Sequence, residues 1–176
     1  HWYGLMYVLG FLGGWSLAPR RAAAPRSTWK PADVDDLIFF AAVGVIAGGR
    51  IGWTLVYGWA GLAADPLSLF RVWEGGMSFH GGLAGVLIAL ALFAHRRGRR
   101  FADVLDFTAP LPAIGLGAGR IGNFINGELW GKPTDVPWGF LVGGDIRHPT
   151  QLYEAALEGL VLFAVLWWFT ARPRPR

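Results

Sequence analysis

The segment Gly119-Arg120-Ile121-Gly122-Asn123-Phe124-Ile125-Asn126-Gly127-Glu128-Leu129-Trp130-Gly131 gathers groups suited to chemistry. It carries one guanidinium, one carboxylate, two amides and four glycines in thirteen residues. A guanidinium is a planar fork that binds two phosphate oxygens at once. Elsewhere, His80 supplies an imidazole, the side chain that exchanges protons near neutral pH. An arginine that holds a phosphate, with a histidine that takes a proton from a thiol or hydroxyl, is a set suited to moving a lipid portion off a phospholipid. The plainer reading of Arg120 is a cation snorkelling at the end of a membrane helix, followed by a Gly/Asn turn.

The composition narrows the setting. The chain has 176 residues, of which 53% are hydrophobic and only 16% charged, where a soluble domain carries about 25% charged residues. Ten Trp and four Tyr fit interfacial belts. Cysteine is absent, which excludes a disulfide framework, a thiolate metal site and a cysteine nucleophile. No Gly-x-Ser-x-Gly elbow occurs, so no serine nucleophile is indicated and catalysis would rest on bringing donor and acceptor together. No pair among His1, His80, His95 and His148 has metal-ligand spacing, so no metal is expected, and no cofactor is assigned.

Five segments are apolar enough to span a bilayer: Trp2–Leu17, Leu37–Trp59, Phe79–Ala94, Val104–Gly119 and Leu152–Ala171. A span takes about 20 residues, so the first, third and fourth must extend a little into the interface. The expected fold is an all-α, polytopic membrane helix bundle forming one integral membrane domain over residues 1–176. Residues 120–150 form a small extracytoplasmic cap, with a hairpin turning at Gly143-Gly144. Gly44-x-x-x-Gly48, Gly81-x-x-x-Gly85 and Gly115-x-x-x-Gly119 place small residues on single helix faces, which lets helices approach closely in lipid. His1 opens the chain inside an apolar run without an initiator Met, and the sequence reads as a piece of a longer protein.

Basic residues set the orientation. Eleven of the 16 fall in the loops Ala18–Asp36 and His95–Asp103 and after the last span, whereas the opposite loops hold Arg71, Lys132 and Arg147. The basic side is the cytoplasmic one. The net charge of +4 is therefore topogenic and not a nucleic-acid surface.

This alternation brings distant residues to the outer leaflet: Tyr3, His80, Arg120, Gln151, Tyr153 and Glu154, with Arg50 past the middle of its span on the same side. Ionisable groups at membrane depth are costly and usually serve a site. Each has a plainer role open to it. His80 could cap its helix, Tyr3 could be a belt aromatic, and Glu154 could pair with Arg147 or His148. Arg50 could be a structural partner for a carboxylate such as Asp106. A second function, an anion or lipid transporter whose path is lined by Arg50 and Arg120, would need charge spread through the bilayer depth, and here it gathers at one leaflet.

The Gly119–Gly131 segment resembles the signature of the prolipoprotein diacylglyceryl transferases of bacterial inner membranes. Trp2-Tyr3-Gly4-Leu5-Met6-Tyr7, Ser78-Phe79-His80-Gly81-Gly82-Leu83 and Arg147-His148-Pro149-Thr150-Gln151-Leu152-Tyr153-Glu154 resemble the family's other blocks in the same order. The resemblance implies transfer of the diacylglyceryl group of phosphatidylglycerol to the lipobox cysteine thiol of a prolipoprotein signal peptide, forming a thioether and releasing glycerol phosphate. It implies that Tyr3, His80, Asn123 and Glu128 serve catalysis, with His80 as the proposed base. Arg120 would bind phosphatidylglycerol, and Gly131 matters for activity. Arg50 and Glu154 are assigned to substrate binding from their place at the outer leaflet. The family carries about seven spans, so two more are expected in the parent, and the 176-residue piece alone is expected to have little transferase activity.

The charge bias yields the first prediction. An impermeant thiol reagent applied from outside should fail to label single cysteines introduced at Ala23 and Gly98, and ready labelling of both would reverse the topology.

Overall fold

In the computed structural model, residues 2–24 and 27–171 are described; the side chains of Trp2, Tyr3 and Tyr7 lie outside that description. Of the expected cytoplasmic residues, Arg26, Arg172, Arg174 and Arg176 also lie outside it. The helices are α1 (Trp2–Ala22), α2 (Pro31–Val56), α3 (Trp59–Ala64), α4 (Phe79–Arg96), α5 (Phe101–Thr108) and α6 (Leu111–Asn126). A short hairpin follows, β1 (Phe140–Val142) and β2 (Asp145–Arg147), then α7 (Thr150–Glu154) and α8 (Leu162–Ala171), which a π-helical stretch over Ala155–Val161 joins into one rod. Three helices are long and apolar enough to cross a membrane: Pro31–Val56, Phe79–Arg96 and Thr150–Ala171. The last buries only 6% of its apolar window against the rest of the chain. So much bare apolar surface on a helix calls for lipid as its solvent.

The expected fourth span differs. Val104–Gly119 is not one helix: α5 ends at Thr108, and α6 starts afresh at Leu111 with Pro110 before it and Pro112 in its first turn. A proline in a helix interior removes a hydrogen bond and clashes with the preceding turn, whereas the first turn tolerates it. The restarted helix then runs to Asn126, so Arg120 lies inside α6 and not at its end.

The chain divides into two compact units, residues 29–105 and residues 1–28 with 106–176. In the first, α2 and α4 meet through backbone. A Cβ built on Gly48 would lie 2.3 Å from the Gly81 carbonyl oxygen, and one on Gly85 would lie 2.2 Å from that of Gly44. The expected pairs Gly44/Gly48 and Gly81/Gly85 thus face each other, with Gly52 extending the seam to Gly81. At one end of the pair, Asp33 bridges to Arg99 at 3.0 Å and Arg97 at 3.4 Å, while Arg97 also binds Asp36. Arg99 lies over the Trp29 ring at 4.2 Å.

In the second unit α6 has glycine contacts on two sides. A Cβ on Gly10 of α1 would fall 2.8 Å from the Gly115 Cα, and one on Gly117 would fall 2.9 Å from the Gly159 Cα. The third expected glycine pair is therefore split in use: Gly115 meets α1, whereas no described residue lies within 4 Å of a Cβ built on Gly119. Gly127 ends α6 in the left-handed region at φ 72°, a conformation that favours glycine. The hairpin is antiparallel with Leu141 opposite Ile146 and turns at Gly143-Gly144, as the sequence predicts, both residues having positive φ.

The seam between α2 and α4 gives the second prediction. Gly85→Val should destabilise the protein by about 3 kcal/mol or more, since backbone cannot yield as an overpacked side chain does. Gly61→Ala, with no described residue within 4 Å of its added Cβ, should be near neutral. Thermal unfolding in detergent measures both.

Candidate active site

The sequence-selected residues fall in both units. In residues 29–105, His80 is the second residue of α4 and is exposed, its ring edge-on to Phe79 with centroids 5.7 Å apart. It does not cap the helix: the Ser78 hydroxyl does, accepting from the Gly81 N–H at 3.2 Å. The imidazole is thus not used in ending the helix.

Arg50 is 5% exposed, and its partners are not carboxylates. Its Nε donates to the Leu69 carbonyl at 3.1 Å, and its terminal nitrogens donate to the carbonyls of Ser68, Gly75 and Gly76. The guanidinium also lies 5.3 Å from the Trp53 ring centroid. Arg50 gathers the carbonyls of the loop after α2, and Asp106 is not its partner. Bound to carbonyls at both ends of the Ser68–Gly76 stretch, the side chain fixes the loop that delivers Ser78 and His80 to the start of α4.

In the other unit, Arg120 faces the rod beginning at Thr150. Its Nε lies 3.1 Å from Glu154 Oε2 and 3.1 Å from Glu158 Oε2, and it donates its hydrogen bond to Glu158. Glu154 therefore pairs with Arg120 and not with Arg147 or His148; Arg147 binds Asp145 at 3.2 Å. No described residue takes a hydrogen bond from Nη1 or Nη2 of Arg120. A guanidinium held by Nε, with no partner at either Nη group among the described residues, presents the edge that fits two oxygens of a phosphate. Glycine makes the pairing possible. Gly117, three residues before Arg120, touches Gly159, one residue after Glu158, so the two backbones are close enough for short side chains to meet.

Asn123 sits one turn beyond Arg120, 8% exposed and hydrogen-bonded, and its own carbonyl accepts the Glu128 N–H at 2.9 Å. The Glu128 carbonyl in turn accepts from Nε2 of Gln151, a side chain with no exposed surface whose Oε1 has no partner among the described residues. Leu129 is held at φ 59°, an uncommon conformation for a bulky residue, and its carbonyl accepts the Thr150 hydroxyl at 2.8 Å. Gly131 donates its N–H to the His148 carbonyl at 2.9 Å. A Cβ there would meet Thr150 Cγ2 at 2.6 Å and His148 Cβ at 3.0 Å. Its demand for glycine is thus steric: the strand after the signature lies flat against the approach to α7. Above it, Trp138 donates to the Tyr153 hydroxyl at 2.7 Å, which lies 3.1 Å from His148 Nδ1. Tyr3 belongs to α1, but its side chain lies outside the described residues.

Sequence reasoning passed over Glu158. The signal was there, since an acidic residue four places after Glu154 in an otherwise apolar run shares a helix face with it and needs a partner at depth. Among the described residues no cluster of three His, Cys, Asp or Glu is placed to hold a metal ion.

Three membrane-length apolar helices, glycine contacts within each unit and an arginine tied to carboxylates define a helical membrane protein. Comparison with known proteins gives the family. The family model "Prolipoprotein diacylglyceryl transferase" matches residues 1–176. A phosphatidylglycerol--prolipoprotein diacylglyceryl transferase of Methylococcus capsulatus is 58% identical over 180 residues, covering 100% of this chain and 69% of the relative. Proteins of the same name from Nitratidesulfovibrio vulgaris, 58% identical over 99% of this chain and 67% of the relative, and Coxiella burnetii, 55% identical over 100% and 69%, are similar. The chain belongs to the prolipoprotein diacylglyceryl transferase family, and it is of the transferase class.

The third prediction concerns the strap at Gly131. Gly131→Ala should break the Gly131–His148 bond, so amide exchange at Gly131 should rise by about tenfold, a net hydrogen bond being worth about 1 kcal/mol or somewhat more. Unchanged protection would mean that the strap yields without separating.

Proposed function

We propose that the chain's residues transfer the diacylglyceryl group of phosphatidylglycerol to the lipobox cysteine of a prolipoprotein. The cysteine sulfur forms a thioether with the terminal glyceryl carbon. The bond from that carbon to the phosphate oxygen breaks, and glycerol phosphate leaves with the electron pair. His80 takes the thiol proton, while Arg120 holds the phosphate as its charge grows. Asn123 and Glu128 shape the approach, and Tyr3 completes the site. Donor lipid and acceptor thiol together supply every atom of the products.

The observation that carries this reading is the state of Arg120, tied at Nε and without a partner at either Nη group among the described residues. Snorkelling at a helix end does not account for it, because α6 continues to Asn126. The exposure of His80, with Ser78 doing the capping, supports the proton-acceptor role. Arg50 serves by fixing its loop, a support role in place of direct substrate binding. Glu154 orients Arg120 from the side where it lies.

The domain is one integral membrane bundle of the bacterial inner membrane, with residues 120–150 as its extracytoplasmic cap and the reaction at the outer leaflet. The bias of basic residues toward the loops Ala18–Asp36 and His95–Asp103 supports that orientation. An anion carrier lined by Arg50 fits less well, since that guanidinium is already engaged by carbonyls.

Arg120→Lys separates the phosphate role from an anchoring one. Lysine keeps the charge but loses the fork. Losing a preorganised donor at growing charge costs about 2.7–4 kcal/mol, so the initial rate of transfer to a lipobox peptide should fall about a hundredfold or more at equal abundance in the membrane. A normal rate would remove Arg120 from the phosphate.

A further inference from the structure

Glu158 is the group that holds Arg120 from below, and it is an expensive one to keep. It lies eight residues into the rod that starts at Thr150, inside the apolar stretch, where a carboxylate needs a cation partner. Of the two carboxylates beside Arg120, Glu158 receives the Nε hydrogen bond. The Nε hydrogen is a single donor, so Glu154, also at 3.1 Å, is in ion-pair contact only. The helix is π-helical over Ala155–Val161, the stretch that carries Glu158, and Gly159 beside it meets the α6 backbone at Gly117. Such widened turns are rare and frequently mark functional sites.

Two consequences follow from this arrangement. A guanidinium gripped at Nε is restrained in rotation, so its Nη edge favours one direction. One guanidinium between two carboxylates is also a net negative cluster. A phosphodiester brings a single negative charge to it, whereas a phosphomonoester near neutral pH carries close to two, its second pKa being about 6. The same carboxylate therefore orients the fork for the lipid phosphate and disfavours the monoester left after the bond breaks.

We propose that Glu158 is a positioning residue that aims the Arg120 fork at a phosphodiester and whose charge helps expel the phosphomonoester product. This rests on the reading that Arg120 holds the lipid phosphate.

The test compares Glu158→Leu, Glu158→Gln and Arg120→Lys in the whole enzyme in membranes, at matched abundance, with phosphatidylglycerol and a lipobox peptide as substrates and glycerol phosphate as added inhibitor. Glu158→Leu removes the acceptor, and kcat should fall about tenfold or more, the scale of a hydrogen bond to a charged group. Glu158→Gln keeps an acceptor oxygen without the charge. It should recover most of that kcat, yet glycerol phosphate should inhibit it severalfold more strongly than the parent. A purely structural role would not move the inhibition constant. Should Glu158→Leu fail to accumulate, the inhibition constant of Glu158→Gln decides alone. A kcat within about twofold of the parent for Glu158→Leu, or unchanged inhibition of Glu158→Gln, overturns the proposal provided Arg120→Lys is impaired. A normal Arg120→Lys would show instead that the underlying phosphate reading has failed.

Discussion

Helices in lipid gain nothing from hiding apolar side chains on each other, because the hydrocarbon around them is equally apolar, so close backbone packing has to hold them together. In this chain that packing is made by glycine. Gly44, Gly48 and Gly52 lie against Gly81 and Gly85, Gly10 lies against Gly115, and Gly117 lies against Gly159. At several of these contacts a single methyl group would fall under 3 Å from a backbone atom. The side chains that matter are placed as a consequence. The reach from Arg120 to Glu154 and Glu158 is short because Gly117 and Gly159 touch.

Two arginines show how the same side chain is put to different use. Arg50 is buried and spends its donors on four loop carbonyls, which makes it a structural fastening. Arg120 spends Nε on carboxylates and presents its two Nη groups without a partner among the described residues. Charge and residue type are equal in the two cases, and only the acceptors around them differ. The neighbouring loop follows the same economy. Asn123, Gln151 and Thr150 bind backbone carbonyls or lend their own, so hydrogen bonds help fix the turn from α6 to the strap at Gly131, beside the packed rings of Phe124, Trp130 and Phe140.

Much of this was legible in the sequence because its causes are local. The glycine spacings at 44/48 and 81/85, the turn at Gly143-Gly144 and the apolar stretches all act within a few residues. The clustering of Arg120 with Glu154 followed from alternation of the spans. What escaped has causes at longer range or smaller scale. The break at Pro110 was hidden by an apolar run that averages over it. Arg50's partners are carbonyls, which carry no residue-type signal. Glu158 looked like part of an apolar helix until the geometry of Gly159 put it beside Arg120. The steric reason for glycine at position 131 depends on Thr150 and His148, which only the folded loop brings near.

The central claim is that the Nη edge of Arg120 is the phosphate site. An experimental structure of the enzyme with a bound phosphodiester lipid tests it most directly. The account predicts two phosphate oxygens within about 3 Å of Nη1 and Nη2, with Nε still on Glu158. A phosphate bound elsewhere, with Arg120 turned away from it, would contradict the account.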